Sequence, residues 1–452
     1  MRSLPFILAL AAAATWSLAS RAAEPAAADA APASGASAAL MEVRDWRYIL
    51  TIHEIARADD EGRLAQLVGD NPDRMLARLP DGRTVVHVAA EAGALKSLRV
   101  LGKAGADLNV VDQKGHTPLS VAIGMHFSTT VKALVELGVN VNVEGAVEAE
   151  APMPPLILAM RRGYSDIVTT LLDAKANMDQ IASDGSTPLT AGAGAGHAES
   201  VKFLLAHGAG VDAKNRDGDT PLILAIRRGS TEVVKVLLEA KADANLLAPD
   251  GDTPLILAVR RGYTDLENVL LDAKADVNFV APDGNTPLTA AAAAGHWKDV
   301  TLLLDRGAGV NAADSAGMTA LLHATIAGNV PAVEALLAKG ADPKLTDKKN
   351  RAPLALTQSP TLWKMLVEKG ADVNAQVQGA TPLQHFIIDG NLALVKAWLA
   401  YKPDPLVPDR KGLTAKELAR QHAGNAVMGD RREIARALEA YQNEYFAQLP
   451  AQ

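Results

Sequence analysis

Thr187-Pro188-Leu189 returns as Thr220-Pro221-Leu222, Thr253-Pro254-Leu255 and Thr286-Pro287-Leu288, each 33 residues after the last. The same phrase stands earlier at Thr117-Pro118-Leu119. A fixed period of that length means a stack of like supersecondary units, which decides the architecture before any single residue is weighed. The register extends both ways once imperfect copies are admitted. Thr51, Thr84 and Thr117 hold the slot at steps of 33, Pro154 follows after 37, and Thr319 and Ala352 resume the step of 33. Thr381 comes after only 29 residues, and Thr414 closes the series. About twelve units result, with atypical first and last members, as end caps should be.

One unit explains the period. In Asp219-Thr220-Pro221-Leu222-Ile223-Leu224-Ala225, Thr can cap a helix and Pro suits its first turn, where no N–H is needed. A short apolar helix follows and stops at Gly229. A second helix, Glu232-Val233-Val234-Lys235-Val236-Leu237-Leu238, carries apolar residues at three- and four-residue spacing. Ala242-Asp243-Ala244-Asn245 then leads through the turn signal Asp250-Gly251 into the next unit.

These residues resemble the ankyrin repeat. The family pattern runs from a Thr-Pro-Leu turn through an Ala-rich inner helix, a Gly and an outer helix ending in Leu-Leu. Its closing Gly-Ala-Asp-x-Asn loop stands whole at Gly105–Asn109 and Gly370–Asn374. The resemblance covers roughly residues 45–443. It implies an all-α repeat solenoid of helix-turn-helix units joined by β-hairpin-like loops, binding other proteins on its concave side. Two departures matter. The His that follows Thr-Pro-Leu in the family survives only at His87, and elsewhere the slot holds Ile157, Ile223 and Ile256, or Thr190 and Thr289. Its hydrogen bonds between units must be replaced or absent. Lys175, Lys241 and Lys274 stand where Gly usually ends the outer helix, and a left-handed backbone there would cost each about 1 kcal/mol.

Residues 1–22 read as a secretory signal peptide: Arg2 precedes the apolar run Leu4–Ala11, and small residues at Ala19 and Ala22 offer cleavage points. Residues 23–42 read as an Ala/Pro-rich linker, 43–83 as an N-terminal cap, with Trp46, Ile49, Leu50, Ile52 and Ile55 amphipathic, 84–413 as the array and 414–452 as closing helices. The chain has no cysteine, so neither a lipidated cysteine nor a disulfide is possible. An exported, periplasmic monomer without a membrane span is expected. A net charge of −7 gives no basic footprint for nucleic acid.

A larger repeat lies within the stack. Residues Pro155–Asp173 reappear as Pro254–Asp272 at an offset of 99, or three units. Units of this block end their inner helices in one of two ways. Arg161-Arg162, Arg227-Arg228 and Arg260-Arg261 form double arginines, whereas Gly192, Gly194 and Ala195, or Ala291 to Ala294, are small. By the resemblance these positions face the concave side, so the six arginines are the candidate partner-binding residues. They would form a basic ladder whose guanidiniums engage a partner's carboxylates, with notches at the small residues. The bland alternative is that Arg near a helix C-terminus complements the macrodipole and is otherwise solvated. The four-residue insertion before Pro154 brings Glu144, Glu148 and Glu150 to one end of this ladder, as a mobile acidic loop or merely a tolerated insertion. The unit over 352–380 is short by about one helical turn, with Pro360 intruding just before Leu362-Trp363, and is the expected weak joint.

No motif for chemistry is complete. His53-Glu54 starts a zinc-protease signature, but Arg57 replaces its second His. Ala191–Gly196 mimics a phosphate loop without the Gly-Lys-Ser/Thr that must follow. His116 and His126 flank one inner helix and could in principle share a metal. No catalytic residue, metal or cofactor is expected. The leading expectation is a non-catalytic scaffold that binds, protects or inhibits an envelope protein. The alternative is a binder of envelope polyanions, lipid headgroups or glycans, through the arginines.

Overall fold

The computed structural model describes residues 49–147, 150–423 and 429–448. The expected leader and linker, Trp46 of the expected cap and Glu148 of the insertion lie outside these residues. The described part is an all-helical solenoid of paired antiparallel helices, as the period requires. Among the described residues no β-strand forms, and isolated bridges such as Arg78 with Thr84 and Ala313 with Thr319 close the hairpin-like loops.

Each inner helix starts and stops by local chemistry. Thr220 accepts a hydrogen bond from the Ile223 N–H at 3.2 Å, Pro221 takes the first helical position, and Gly229, at φ 77°, ends the helix in the left-handed region. The same N-cap recurs at Thr117, Thr187, Thr253, Thr286, Thr319 and Thr381. Each such cap contributes about 1 kcal/mol. The apolar stripe then packs inward: Ala225, Ile226, Val233, Val234 and Leu237 are all fully buried. Inner helices pack on the inner helices of neighbouring units, and outer helices on outer ones. The first described unit follows this plan with helices over 49–57 and Glu61–Asp70, whose Ile52, Ala56, Leu64 and Val68 are buried. Ala415–Ala423 and Gly429–Ala447 close the far end, clasped where Lys416 and Arg420 both reach Glu439.

Loops are stapled unit to unit. Asn109 Oδ1 accepts from the Asn140 N–H at 2.9 Å, and Asn245, Asn278, Asn311 and Asn374 repeat the bond one unit on. This is the physical reason for the Ala-Asp-x-Asn phrase. The missing histidines divide by unit. His87 accepts from the Thr84 N–H and donates from Nε2 to the His116 carbonyl at 3.0 Å. Ser120 and Gln384 reproduce that bridge, donating to the Ala146 and Val407 carbonyls at 2.8 and 2.9 Å. Thr190 and Thr289 bond only within their own units, and Ile157, Ile223 and Ile256 bury apolar surface in its place. Lys175, Lys241 and Lys274 do adopt the left-handed backbone, at φ 61°, 70° and 70°.

The short unit differs in detail from its sequence reading. Pro360 does not intrude: it is the first residue of the outer helix Pro360–Glu368, after Ser359. The lost turn comes from the inner helix, now the 3-10 turn Pro353–Leu356. Toward the Thr381 unit, the inner and the outer elements approach less closely, backbone to backbone, than at the other steps from Val85 onward. The loop staple also lapses, since Lys344 holds the Asn slot. Three rings span the wider gap. Trp363 and Trp398 are fully buried, with centroids 4.8 Å apart, and Phe386 lies 5.1 Å from Trp363.

Candidate partner-binding face

Two positions decide what the ends of the inner helices present. Counted from the capping Thr, or from Pro154, the seventh residue is Gly124, Arg161, Gly194, Arg227, Arg260 and Ala293 in successive units. The eighth is Met125, Arg162, Ala195, Arg228, Arg261 and Ala294. The six expected arginines therefore form two rows, and the rows differ in chemistry.

The seventh-position arginines are internal staples. Arg227 donates to Asp219 of its own unit at 2.6 Å and to Asp250 in the next loop at 3.4 Å. Arg260 likewise joins Asp252 at 3.0 Å and Asp283 at 2.8 Å. Arg161 reaches Asp184 and the Ser186 hydroxyl of the following unit. Asp219 and Asp252 are buried, and burial raises their carboxyl pKa against the pull of the neighbouring arginine. At exposed Asp283 burial pushes upward as well, but hydrogen bonds from Asn285 and Arg260 together outweigh it and draw the carboxyl down. An Arg held between two carboxylates has its fork spoken for. Of the six arginines of the expected ladder, these three tie one unit to the next.

The eighth-position arginines point elsewhere. Arg162 donates to Glu150 of the insertion at 2.8 Å. Arg228 and Arg261 are exposed and make no hydrogen bond or ion pair among the described residues. They sit in adjoining units whose inner helices pack about 8–10 Å apart. The sequence held a signal for this split: Asp precedes the capping Thr at Asp219 and Asp252, and Asp recurs in the following loops at Asp184, Asp250 and Asp283.

The insertion is docked rather than loose. Its Gly145 and Met153 exchange backbone hydrogen bonds, and its Ala146 N–H donates to the Gly115 carbonyl at 2.7 Å. Val147, nearly buried, lies over Gly124, where a Cβ would stand only 2.6 Å from Val147 Cγ1. Glu144 is exposed, so of the three glutamates only Glu150 is shown meeting the ladder.

The histidines serve structure. His197 and His296 bond to the Arg161 and Val259 carbonyls of preceding units at 3.1 and 2.9 Å. His116 pairs with Asp112 at 2.8 Å, whereas His126 stacks on Tyr164 with centroids 3.8 Å apart. A cleft of about 330 Å³ near His116 is lined by Asp81, Arg83, Glu91, Asp112 and Lys114. There Arg83 already holds both Asp81 and Glu91 at 2.7 Å. Among the described residues no group of three His, Asp or Glu side chains is placed to hold a metal ion. No described helix is long and apolar enough to cross a membrane.

The chain is 34% identical over 117 residues to alpha-latrotoxin-Lt1a of Latrodectus tredecimguttatus, covering 25% of the chain and 8% of the toxin. It is 34% identical over 144 residues to tyrosine-protein kinase HTK16 of Hydra vulgaris, covering 30% of the chain and 18% of the kinase. The chain thus spans only a small part of the curated relatives it matches. Among solved structures, the human ASB11 ankyrin repeat domain aligns at TM-score 0.43 and 28% identity, over 48% of this chain and 99% of that one. The ankyrin repeat domain of Bcl-3 aligns at TM-score 0.45 and 28% identity, over 49% and 100%. The family model of ankyrin repeats in three copies matches residues 52–145, 156–248, 193–281 and 255–347, more than half of the chain. With capping threonines, loop staples and helix pairs in that register, the chain belongs to the ankyrin repeat family.

Proposed function

We propose that this chain is a non-catalytic scaffold that binds a partner protein on the face formed by its inner helix ends. The observation that carries this reading is the exposed pair Arg228 and Arg261, in adjoining units and without an acidic partner among the described residues. Binding groups held on rigid, repeated elements suit a protein partner, and the ankyrin repeat family supports the same reading. The polyanion reading is the weaker one. Arg227 and Arg260 each lie between two aspartates, so the face offers two open guanidiniums in place of a dense cationic track.

The site of action is proposed as the periplasm, supported by the basic, apolar and small-residue succession over 1–22 and the lack of cysteine. Cell fractionation with N-terminal sequencing tests this: a cytoplasmic protein still beginning at Met1 refutes it. For function, the full chain and its Arg228→Glu/Arg261→Glu variant serve as baits in envelope extract, read by mass spectrometry. A partner captured by the first and lost by the second is expected. Identical profiles refute the assignment to this face.

A further inference from the structure

The insertion shows, within one chain, how this face holds a segment laid across it. Val147 fills the space above Gly124, in van der Waals contact that any Cβ there would obstruct. The Glu150 N–H donates to the Val147 carbonyl at 3.0 Å, and the Glu150 carboxylate sits 2.8 Å from the Arg162 guanidinium. The seat is a step between two units: glycine at the seventh position of one, arginine at the eighth position of the next. In the array this step occurs twice, as Gly124 with Arg162 and as Gly194 with Arg228. Arg261 does not qualify, because the unit before it has Arg227 at the seventh position.

The second copy has the same features uncovered. A Cβ on Gly194 would meet nothing nearer than Leu224, at 3.9 Å. Leu224 is half-buried, whereas its counterpart Leu158 is fully buried. Arg228 makes no ion pair or hydrogen bond among the described residues, whereas Arg162 holds Glu150. Gly194 stands in the last turn of the helix Pro188–Ala195, where the duplicated block carries Ala293, the better helix former. The notch is therefore open at the expense of helix stability.

We infer that the Gly194–Arg228 step is the seat for the partner, and that it takes a turn of protein chain bearing an aliphatic side chain followed three residues later by a carboxylate. The aliphatic group covers Leu224 and the bare Gly194 backbone, as Val147 covers Gly124. The carboxylate meets the Arg228 fork, as Glu150 meets Arg162, in a charge-assisted hydrogen bond. This rests on the protein-binding reading of the face and narrows it to one step of the stack.

The test uses the full chain and, as probe, a backbone-cyclised peptide of residues 143–153, which carries the Val147 to Glu150 turn. Binding is followed by NMR of labelled Leu methyls and Arg Nε–Hε groups, which register even millimolar affinities. Saturable shifts at Leu224 and Arg228 are expected. Arg228→Gln and Gly194→Ala should each weaken binding about tenfold or more, from loss of a charged hydrogen bond or of the notch. Gly194→Ala has room and improves helix propensity, so its effect is not one of unfolding. Lys202→Gln, which removes an exposed charge on the outer helix Ala198–Ala206, should leave binding unchanged, and a peptide with Glu150→Gln should fail to bind. Equal weakening by Arg228→Gln and Lys202→Gln, or no saturable shift, overturns the inference. If the peptide fails while partner capture still depends on Arg228 and Arg261, this seat is wrong and the scaffold reading stands. If the peptide binds as expected while no partner is captured, the step's affinity for such a turn stands, but the scaffold reading falls and its assignment as the partner's seat falls with it.

Discussion

Glu267 should make the stability of this protein fall as pH rises from acid to mildly alkaline. It lies in the outer helix Thr264–Asp272, fully buried, with no hydrogen-bond donor facing its carboxyl and the Asp299 side chain beside it. Asp299, 1% exposed on the next outer helix, accepts from the Thr264 hydroxyl at 2.6 Å. Burial first, and the charge of Asp299 second, push Glu267 up from 4.5 to about 8. The folded protein thus keeps a proton that the unfolded chain releases near 4.5. Stability from this group is fully present below 4.5 and declines by about 1.4 kcal/mol per pH unit until the folded pKa is passed. Integrated to about 8, the loss approaches about 5 kcal/mol, an upper limit because relaxation around a newly buried charge reduces it.

The duplication supplies the control. At the offset of 99 residues, Thr264, Glu267 and Asp299 correspond to Ser165, Val168 and Ser200, a neutral version in which the two serine hydroxyls bond at 3.0 Å. Glu267→Val should therefore fit and flatten the pH profile, raising stability at pH 8 by at least about 2 kcal/mol. Glu267→Gln should flatten it as well. Urea unfolding followed by circular dichroism between pH 5 and about pH 8.5 measures this, the difference between variants removing contributions from other groups. Parallel profiles for the wild type and both variants would refute the reasoning.

Lys175, Lys241 and Lys274 replaced by Gly should each gain about 1 kcal/mol, because glycine adopts the left-handed backbone without strain; unchanged or lower urea midpoints would count against it. Trp363→Ala should cost about 3–5 kcal/mol and, by opening the aromatic bridge, speed amide exchange from residue 381 onward more than before residue 352. Uniform exchange along the stack would show that the joint is not weak. Gln384→Ala should cost about 1–3 kcal/mol, since its side chain carries bonds to both the Val407 and Leu413 carbonyls; a cost near zero would show those carbonyls to be hydrated.

What was legible in the sequence was what neighbouring residues settle among themselves. Thr220 caps and Pro221 starts a helix through atoms three residues away, so the fold follows from local chemistry repeated at one period. The arginine pairs were legible as a pattern, but not their division, because Arg227 is bound by Asp219 eight residues before it and Asp250 twenty-three after it. Contacts of that kind depend on how one unit stacks upon the next. The short unit was misread at Pro360 for the same reason: only the stack shows Trp363 reaching Phe386 and Trp398 across the gap. Once the stack is known, however, register becomes a coordinate, and a residue can be compared with its counterparts on nearly the same backbone. Glu267 among valines and Gly194 against Ala293 stand out by that comparison alone. Each replaces a residue that would pack or propagate a helix better. Local stability therefore does not account for either, and an exchange with its counterpart across the duplication measures what each contributes.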